Sequence, residues 1–174
     1  MKLRILAFAV AALVMPALQA DEKEFSSPTI DLGIVVSDLE ESLEFYTEAI
    51  GFMTTGEFTA TEALTRDSGL SAGEELVIKT LALGKGEGAT TIKLMKSVEK
   101  SKKSDQKYIT SSLGFSYLTI RVTSTKAALK RLEKAGVKVL AKGPALVPGT
   151  KIALTVVKDP DGNFVELVGP ADHQ

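Results

Sequence analysis

Four polar side chains stand at corresponding places in two similar stretches of the chain, where together they could bind a ligand or an ion. They are Asp31, Lys93, Tyr117 and Glu166. Side chains alternate between the two faces of a strand, so each of these groups points away from the apolar residues beside it. Carboxylates hold metal ions or move protons, whereas an ammonium and a phenol donate hydrogen bonds to polar ligands. We expect the four groups to share one face.

The elements that must position these groups occur twice. Superposing the two copies places Asp31 on Tyr117 and Lys93 on Glu166. Two copies of one supersecondary unit are typical of a pseudo-twofold fold with a site shared between its halves. Each copy has the pattern βαβββ, which predicts an α+β fold of two tandem βαβββ modules forming a cup-shaped, pseudo-twofold mixed sheet. The copies open at residues 29–39 and 115–123 and close at residues 91–95 and 163–169.

Apolar spacing and turn residues predict the bounds of the elements. An apolar stripe from Leu39 to Ile50 predicts a helix that ends at Gly51. Ser37 and Glu40 fit a capping box, in which the serine hydroxyl accepts a free helix N–H and the glutamate reaches back. The other predicted elements are a helix at 124–135 and strands at 30–36, 53–58, 76–83, 90–96, 115–122, 137–141, 151–157 and 164–168.

The face that carries the four polar groups has two interpretations. It meets water, as one face of an antiparallel sheet often does, or it lines the inside of a cup that binds a ligand. Val35, Met95, Phe164 and Val168 alternate onto this face and favour the cup, because they are too apolar for a freely solvated surface. Residues 59–75 either hold a short helix or form a mobile flap over the cleft.

The N-terminus has the pattern of a secretory signal peptide. Lys2 and Arg4 precede an apolar run, residues 5–18, that Pro16 interrupts, and a small residue stands before an acidic segment. This predicts cleavage after Ala20 and a periplasmic or secreted protein. A membrane-spanning helix needs about 20 apolar residues, so no membrane contact is expected after cleavage.

Composition excludes several classes of function. The chain has 21 basic and 22 acidic side chains and no basic stripe, which excludes a nucleic-acid partner. It has no cysteine, so it offers no thiol nucleophile and its fold relies on the core rather than on disulfides. The single histidine, His173, lies beside the C-terminus and is a poor candidate for chemistry. The predicted divisions are a signal peptide (1–20) and one domain (29–170), made of module one (29–96), a linker (97–112) and module two (113–170).

Two sequence fragments carry a family resemblance. They are Val36-Ser-Asp-Leu-Glu-Glu-Ser-Leu-Glu-Phe-Tyr46 with Ile50-Gly-Phe52, and Asp159-Pro-Asp-Gly-Asn-Phe-Val-Glu-Leu167. On these fragments the chain resembles the vicinal oxygen chelate superfamily of glyoxalase, bleomycin-resistance and extradiol dioxygenase proteins, over about residues 29–170. The resemblance implies the two-module fold, but this scaffold hosts many chemistries.

The resemblance also implies four ligand positions, because metal-dependent members of the family take His, Glu or Gln from the first and last strands of each module. Those positions are Asp31, Lys93, Tyr117 and Glu166. Only Glu166 is a standard ligand, and Asp31 replaces the usual His or Gln. A neutral phenol, with a pKa of about 10, is a poor ligand, and an ammonium has no free lone pair.

Lys93 would oppose a metal ion at this position. Two unit charges about 4 Å apart interact by about 4 kcal/mol at an effective dielectric constant of 20, and a divalent ion would be repelled at least as strongly. We therefore hypothesise that Lys93 takes the electrostatic role of the metal in an Asp31–Lys93–Glu166 cluster, to which Tyr117 donates a hydrogen bond. Such a cluster either is structural or binds a polar ligand with the help of Arg121.

Three functions remain open on this basis. The first is an exported protein that binds a small polar molecule without a metal cofactor, with a homodimer as a further expectation. The second is a glyoxalase-like lyase or isomerase that uses a divalent metal ion, with Asp31 and Glu166 as ligands and Glu166 also as the catalytic base. The third is a protein whose cup and strand edges mediate assembly with a partner.

Overall fold

The structure, a computed structural model, describes residues 27, 29–86, 88–97, 101–103 and 106–172. The predicted signal peptide and His173 lie outside these residues, as do parts of the predicted linker. No helix in the described ranges is long and apolar enough to cross a membrane.

Each half of the domain contains one strand, a helical segment and three further strands. The helix of the first half begins as an α-helix and continues as a π-helical segment, Phe45–Ile50. The connection between the second and third strands of this half contains a short second helix. The first half comprises β1 (Asp31–Val35), α1 (Leu39–Glu44), β2 (Met53–Ala60), α2 (Glu62–Asp67), β3 (Leu76–Ala82) and β4 (Thr91–Lys96). The second comprises β5 (Tyr117–Arg121), α3 (Thr125–Lys134), β6 (Ala145–Leu146), β7 (Ile152–Lys158) and β8 (Phe164–Pro170).

The strands form two four-stranded mixed sheets with matching topology. Their orders are β1-β4-β3-β2 and β5-β8-β7-β6. The outer pairs β1–β4 and β5–β8 are parallel, and the remaining pairs are antiparallel. Gly33 lies opposite Lys93 in the first sheet, and Thr119 lies opposite Glu166 in the second. The predicted α+β fold of tandem βαβββ units is therefore confirmed.

One hydrophobic core joins the two sheets to α1 and α3. Alternation along the strands sends Ile92 and Leu94 of β4, and Val165 and Leu167 of β8, into this core, where all four are almost fully buried. Tyr46 and Leu132, from the helices of the two halves, belong to the same cluster. Because strand side chains alternate, the remaining strand residues face away from α1 and α3. We call that side of the two sheets the cup face.

The N-terminus of α1 differs from the predicted capping box. Asp38, not Ser37, is the N-cap, and its carboxylate accepts the backbone N–H groups of Glu40 and Glu41, each at 3.0 Å. The hydrogen bond from the Glu41 N–H holds the pKa of Asp38 below its ordinary value. A carboxylate is a stronger acceptor than a hydroxyl at a helix N-terminus. The helix ends as predicted at Gly51, which adopts a left-handed conformation (φ 100°).

The structure decides two further predictions, for the connecting segments at residues 137–141 and 59–75. The strand predicted at 137–141 is wrong: Val137 and Val139 pack against the core, but Ala141 has a φ of 52°, in the left-handed region that interrupts extended backbone. Of the two alternatives for residues 59–75, the short helix is found. Thr65 is buried, and its hydroxyl donates to the Glu74 carbonyl at 2.7 Å, which closes the loop after α2.

A buried hydrogen bond joins the two halves. Tyr46 donates its phenolic proton to Asp159 Oδ2 at 3.0 Å, and both residues are buried. Asp159 also accepts the backbone N–H groups of Asp161 and Asn163 and the Asn163 side-chain amide, which fixes the turn before β8. Beside it, Asp161 Oδ2 accepts the Ser37 backbone N–H at 2.9 Å. The turn between β7 and β8 thus docks on the start and the middle of the first helix.

The buried Tyr46 phenol makes the stability of the folded protein decrease as the pH rises in the alkaline range. Burial, followed by the charge and hydrogen bond of Asp159, raises the pKa of Tyr46 far above its ordinary value of 10.0. The folded protein therefore holds this proton more tightly than the unfolded chain, so the stabilisation is complete below pH 10 and declines as the pH rises above it. We expect the difference in unfolding free energy between wild type and Tyr46→Phe, measured by urea titration, to shrink by about 1 kcal/mol per pH unit above pH 10. Parallel pH profiles for the two proteins would contradict this assignment.

Candidate functional site

The cup face brings Lys93 and Asp31 together. Lys93 Nζ lies 2.8 Å from Asp31 Oδ2, with 35% of the lysine side chain and 49% of the aspartate side chain exposed. Both strands are anchored from behind by core residues, since Leu32 packs against the core and Ile92 is fully buried. At this exposure the pair adds about 0–1 kcal/mol to stability. Its effect on the site is therefore mainly the neutralisation of two charges.

Glu166 occupies the position in the second sheet that Lys93 occupies in the first, but it has a different partner. Its Oε2 accepts a hydrogen bond from the Thr119 hydroxyl at 2.8 Å. Thr119 lies directly opposite Glu166 across the parallel pair β5–β8, at the place where the first sheet has Gly33. The Thr119 hydroxyl therefore reaches the carboxylate across the pair, whereas Gly33 has no side chain to offer Lys93.

The hypothesised three-residue cluster is consequently wrong in one part. Lys93 pairs with Asp31, but within the described residues no ion pair joins Lys93 to Glu166. Tyr117 is 51% exposed, and its hydroxyl makes no hydrogen bond to any residue that the structure describes. The physical reason is local: Asp31 is close enough to neutralise the ammonium, and Thr119 supplies the polar contact that Glu166 would otherwise lack.

Arg121 is the last residue of β5 on the cup face. Its side chain is exposed, and across the described ranges no carboxylate lies within ion-pair distance of its guanidinium. Thr119 lies between it and Tyr117 on the same face of the strand. Strand β5 therefore places the phenol of Tyr117, the hydroxyl of Thr119 and the guanidinium of Arg121 on the cup face.

Thr119 and Lys158 were not selected by the sequence. Alternation along β5 already placed Thr119 on the face of Tyr117, so the parallel register was the missing information. Lys158 lies on the cup side of β7, with its Nζ 4.5 Å from the centroid of the Phe164 ring, and it also donates to the Gln106 carbonyl. Phe164, expected to line the cup, is 5% exposed, because Lys158 and its contact to the linker lie over this end of the sheet.

The candidate site on the cup face consists of charged and hydrogen-bonding side chains, from Asp31 and Lys93 in the first sheet to Glu166 in the second. Two surface hollows, of about 580 and 410 Å³, lie beside α1 and not on the cup face. The first is lined mainly by carboxylates, including Glu40 and Glu44 of α1 and Glu48 of the π-helical segment that follows it. No group of three or more His, Cys, Asp or Glu side chains with metal-binding geometry occurs among the residues that the structure describes.

Comparisons with known proteins agree with this architecture. The sequence profile of the Glyoxalase/Bleomycin resistance protein/Dioxygenase superfamily matches residues 30–167. A search of curated protein sequences found no match.

Several solved structures resemble this one in fold. A glyoxalase family protein from Bacillus cereus superposes with a TM-score of 0.68 at 20% sequence identity, covering 87% of this chain and 99% of that protein. The trypanothione-dependent glyoxalase I of Leishmania major gives 0.58 at 22% identity, covering 83% and 87%. Glyoxalase I from Zea mays gives 0.62 at 18% identity and covers 82% of this chain, which spans 46% of the maize chain. At these identities the likeness establishes the fold alone.

Proposed function

Because the chain belongs to the Glyoxalase/Bleomycin resistance protein/Dioxygenase superfamily, we propose that it uses its cup face to bind a small polar molecule, without the divalent metal ion of the metal-dependent relatives. The binding groups in this proposal are Asp31, Lys93, Tyr117, Arg121 and Glu166. We further propose that the protein is exported after cleavage of residues 1–20, acts in the periplasm or outside the cell, and forms a homodimer.

The ion pair between Lys93 and Asp31 carries the proposal. Its atoms lie 2.8 Å apart at two of the four positions where the family resemblance implies metal ligands. A metal ion bound by Asp31 would have to displace the ammonium and then remain close to it. The repulsion between a divalent ion and Lys93 is on the order of 4 kcal/mol or more at about 4 Å and an effective dielectric constant of 20.

The remaining donors fit a metal ion poorly. Glu166 is a good ligand in type, but its Oε2 already accepts the Thr119 hydroxyl. Tyr117 offers a neutral phenol, which becomes a strong ligand only on losing its proton. Two carboxylates, one of them neutralised by a lysine, make a weak site for any of the ions that these residue types prefer. The same groups suit a polar organic ligand, because they include donors and acceptors in a partly exposed setting.

Metal analysis of the purified protein tests this proposal. We expect no stoichiometric metal and a melting temperature unchanged by Ni²⁺, Zn²⁺, Mn²⁺ or Fe²⁺, because no ion binds the folded state preferentially. Glu166→Ala should behave identically in both measurements. Stoichiometric metal that is lost in Glu166→Ala would instead favour a divalent-metal-dependent lyase or isomerase with Asp31 and Glu166 as ligands.

A further inference from the structure

One row of residues crosses the whole second sheet on the cup face. Arg121 of β5 lies opposite Val168 of β8, which lies opposite Leu154 of β7, which in turn lies opposite Ala145 of β6. We call these four residues the Arg121 row. Neighbouring strands are about 4.8 Å apart, so the row is about 14 Å long. It begins with a cation and continues over three apolar side chains.

The apolar surface of this row extends along β7. Ile152 and Val156 flank Leu154 on the same face, and Ile152 is 40% exposed. The opposite face of β7 is also apolar or buried, since Ala153 and Val157 are fully buried in the core. An antiparallel strand with one face on the core and the other in water normally alternates apolar and polar residues. The cup side of β7 is apolar from Ile152 to Val156 although the other side already faces the core, which indicates that the cup side also contacts something other than water.

The positive charge of Arg121, at the end of the row, determines the class of ligand that the row can bind. Lys93 is neutralised by Asp31, Lys103 pairs with Asp161, and Lys158 lies over Phe164. Arg121, in contrast, has no carboxylate within ion-pair distance among residues 29–86, 88–97, 101–103 and 106–172. A guanidinium holds a carboxylate through two parallel hydrogen bonds.

We propose that the Arg121 row binds a small amphipathic carboxylate, such as a medium-chain fatty acid. The carboxylate pairs with the Arg121 guanidinium, and the hydrocarbon body lies across Val168 and Leu154 toward Ala145. This inference rests on the proposed binding function of the cup face and names the class of its ligand.

Glu166 opposes such a ligand, but less strongly than Arg121 attracts it. Glu166 lies two residues from Val168 along β8, about 7 Å away, and diagonal to Arg121. Coulomb energy is inversely proportional to distance, so the attraction to a guanidinium about 4 Å away is about twice as strong as the repulsion from a carboxylate about 8 Å away. The attraction to Arg121 is therefore the larger of the two effects. The hydrogen bond from the Thr119 hydroxyl further disperses the negative charge of Glu166.

Calorimetric titration with octanoate, octanol and octylamine tests the proposal, each below its micellar concentration. We expect octanoate to bind the wild-type protein and Arg121→Gln to weaken this binding at least about tenfold, which is about 1.4 kcal/mol. Lys130→Gln removes an exposed lysine from α3, on the other side of the sheet, and should leave the affinity unchanged. Leu154→Asn should also lose octanoate binding, with the melting temperature confirming that the variant folds.

The outcomes separate this inference from the proposed function. Octylamine binding more tightly than octanoate, octanoate affinity unaffected by Arg121→Gln, or no octanoate binding at all would each overturn the Arg121 row as an acid site. None of these results bears on the metal measurements. Stoichiometric metal lost in Glu166→Ala would overturn the metal-free function instead, while octanoate binding that depends on Arg121 would still support the row.

Discussion

Replacing Asp159 with alanine is expected to lower the free energy of unfolding by about 3–5 kcal/mol, the largest loss for any single substitution considered for this protein. The change leaves four donors without their acceptor: the Tyr46 hydroxyl, the backbone N–H groups of Asp161 and Asn163, and the Asn163 side-chain amide. The Tyr46 hydroxyl is fully buried, so water cannot replace the lost bond without opening the junction. Urea unfolding followed by circular dichroism measures the effect.

Two variants control for this result. Asp159→Asn keeps one carbonyl acceptor of similar shape, so it should lose less stability than Asp159→Ala. Asp67→Ala removes an exposed carboxylate at the end of α2 and should change the unfolding free energy by less than about 0.5 kcal/mol. A loss below about 1 kcal/mol for Asp159→Ala would show that the turn before β8 does not hold the two halves together.

Changing Lys93 to glutamate is expected to create metal affinity beside Asp31. The substitution removes the repelling ammonium and adds a carboxylate beside Asp31, on the cup face that also carries Glu166. Hard and borderline divalent ions accept such oxygen donors. At a metal concentration 100-fold above the dissociation constant, the ion should stabilise the variant by about 2.7 kcal/mol. Thermal unfolding with and without Ni²⁺ or Mn²⁺ measures this gain.

The matched control is Lys79→Glu. Lys79 pairs with Glu57 on the neighbouring strands of the same sheet, so this variant makes the same charge change within another lysine–carboxylate pair. Its side chain lies on the opposite face of β3 from Thr80, the residue that pairs with Lys93. We expect little metal-dependent stabilisation there. Equal stabilisation of both variants, or none in Lys93→Glu, would remove the support for Lys93 as the group that excludes metal.

The sequence by itself determined the fold class and the faces of the long strands, although it placed a strand at 137–141 where the structure has β6 at Ala145–Leu146. Strand alternation has a period of two residues, so Asp31 and Lys93 were assigned to the face opposite Leu32 and Ile92 without knowledge of any contact. The duplicated pattern predicted that Lys93 and Glu166 occupy corresponding positions in the two copies, and the observed registers, with Gly33 opposite Lys93 and Thr119 opposite Glu166, agree with it. Such signals are local, because periodicity, turns and helix ends depend on residues that are neighbours in the chain.

Only the tertiary structure decided which polar groups meet. The sequence offered Lys93 two carboxylates, and the fold joins it to Asp31 while Thr119 takes Glu166. It likewise joins Tyr46 to Asp159 across 113 residues of sequence. Contacts of this kind depend on distances of a few ångströms between segments remote in the chain, and those distances follow from how the two halves pack. Charge pairing between remote side chains is therefore decided by packing, whereas the long, strongly alternating strands are specified by their own residues.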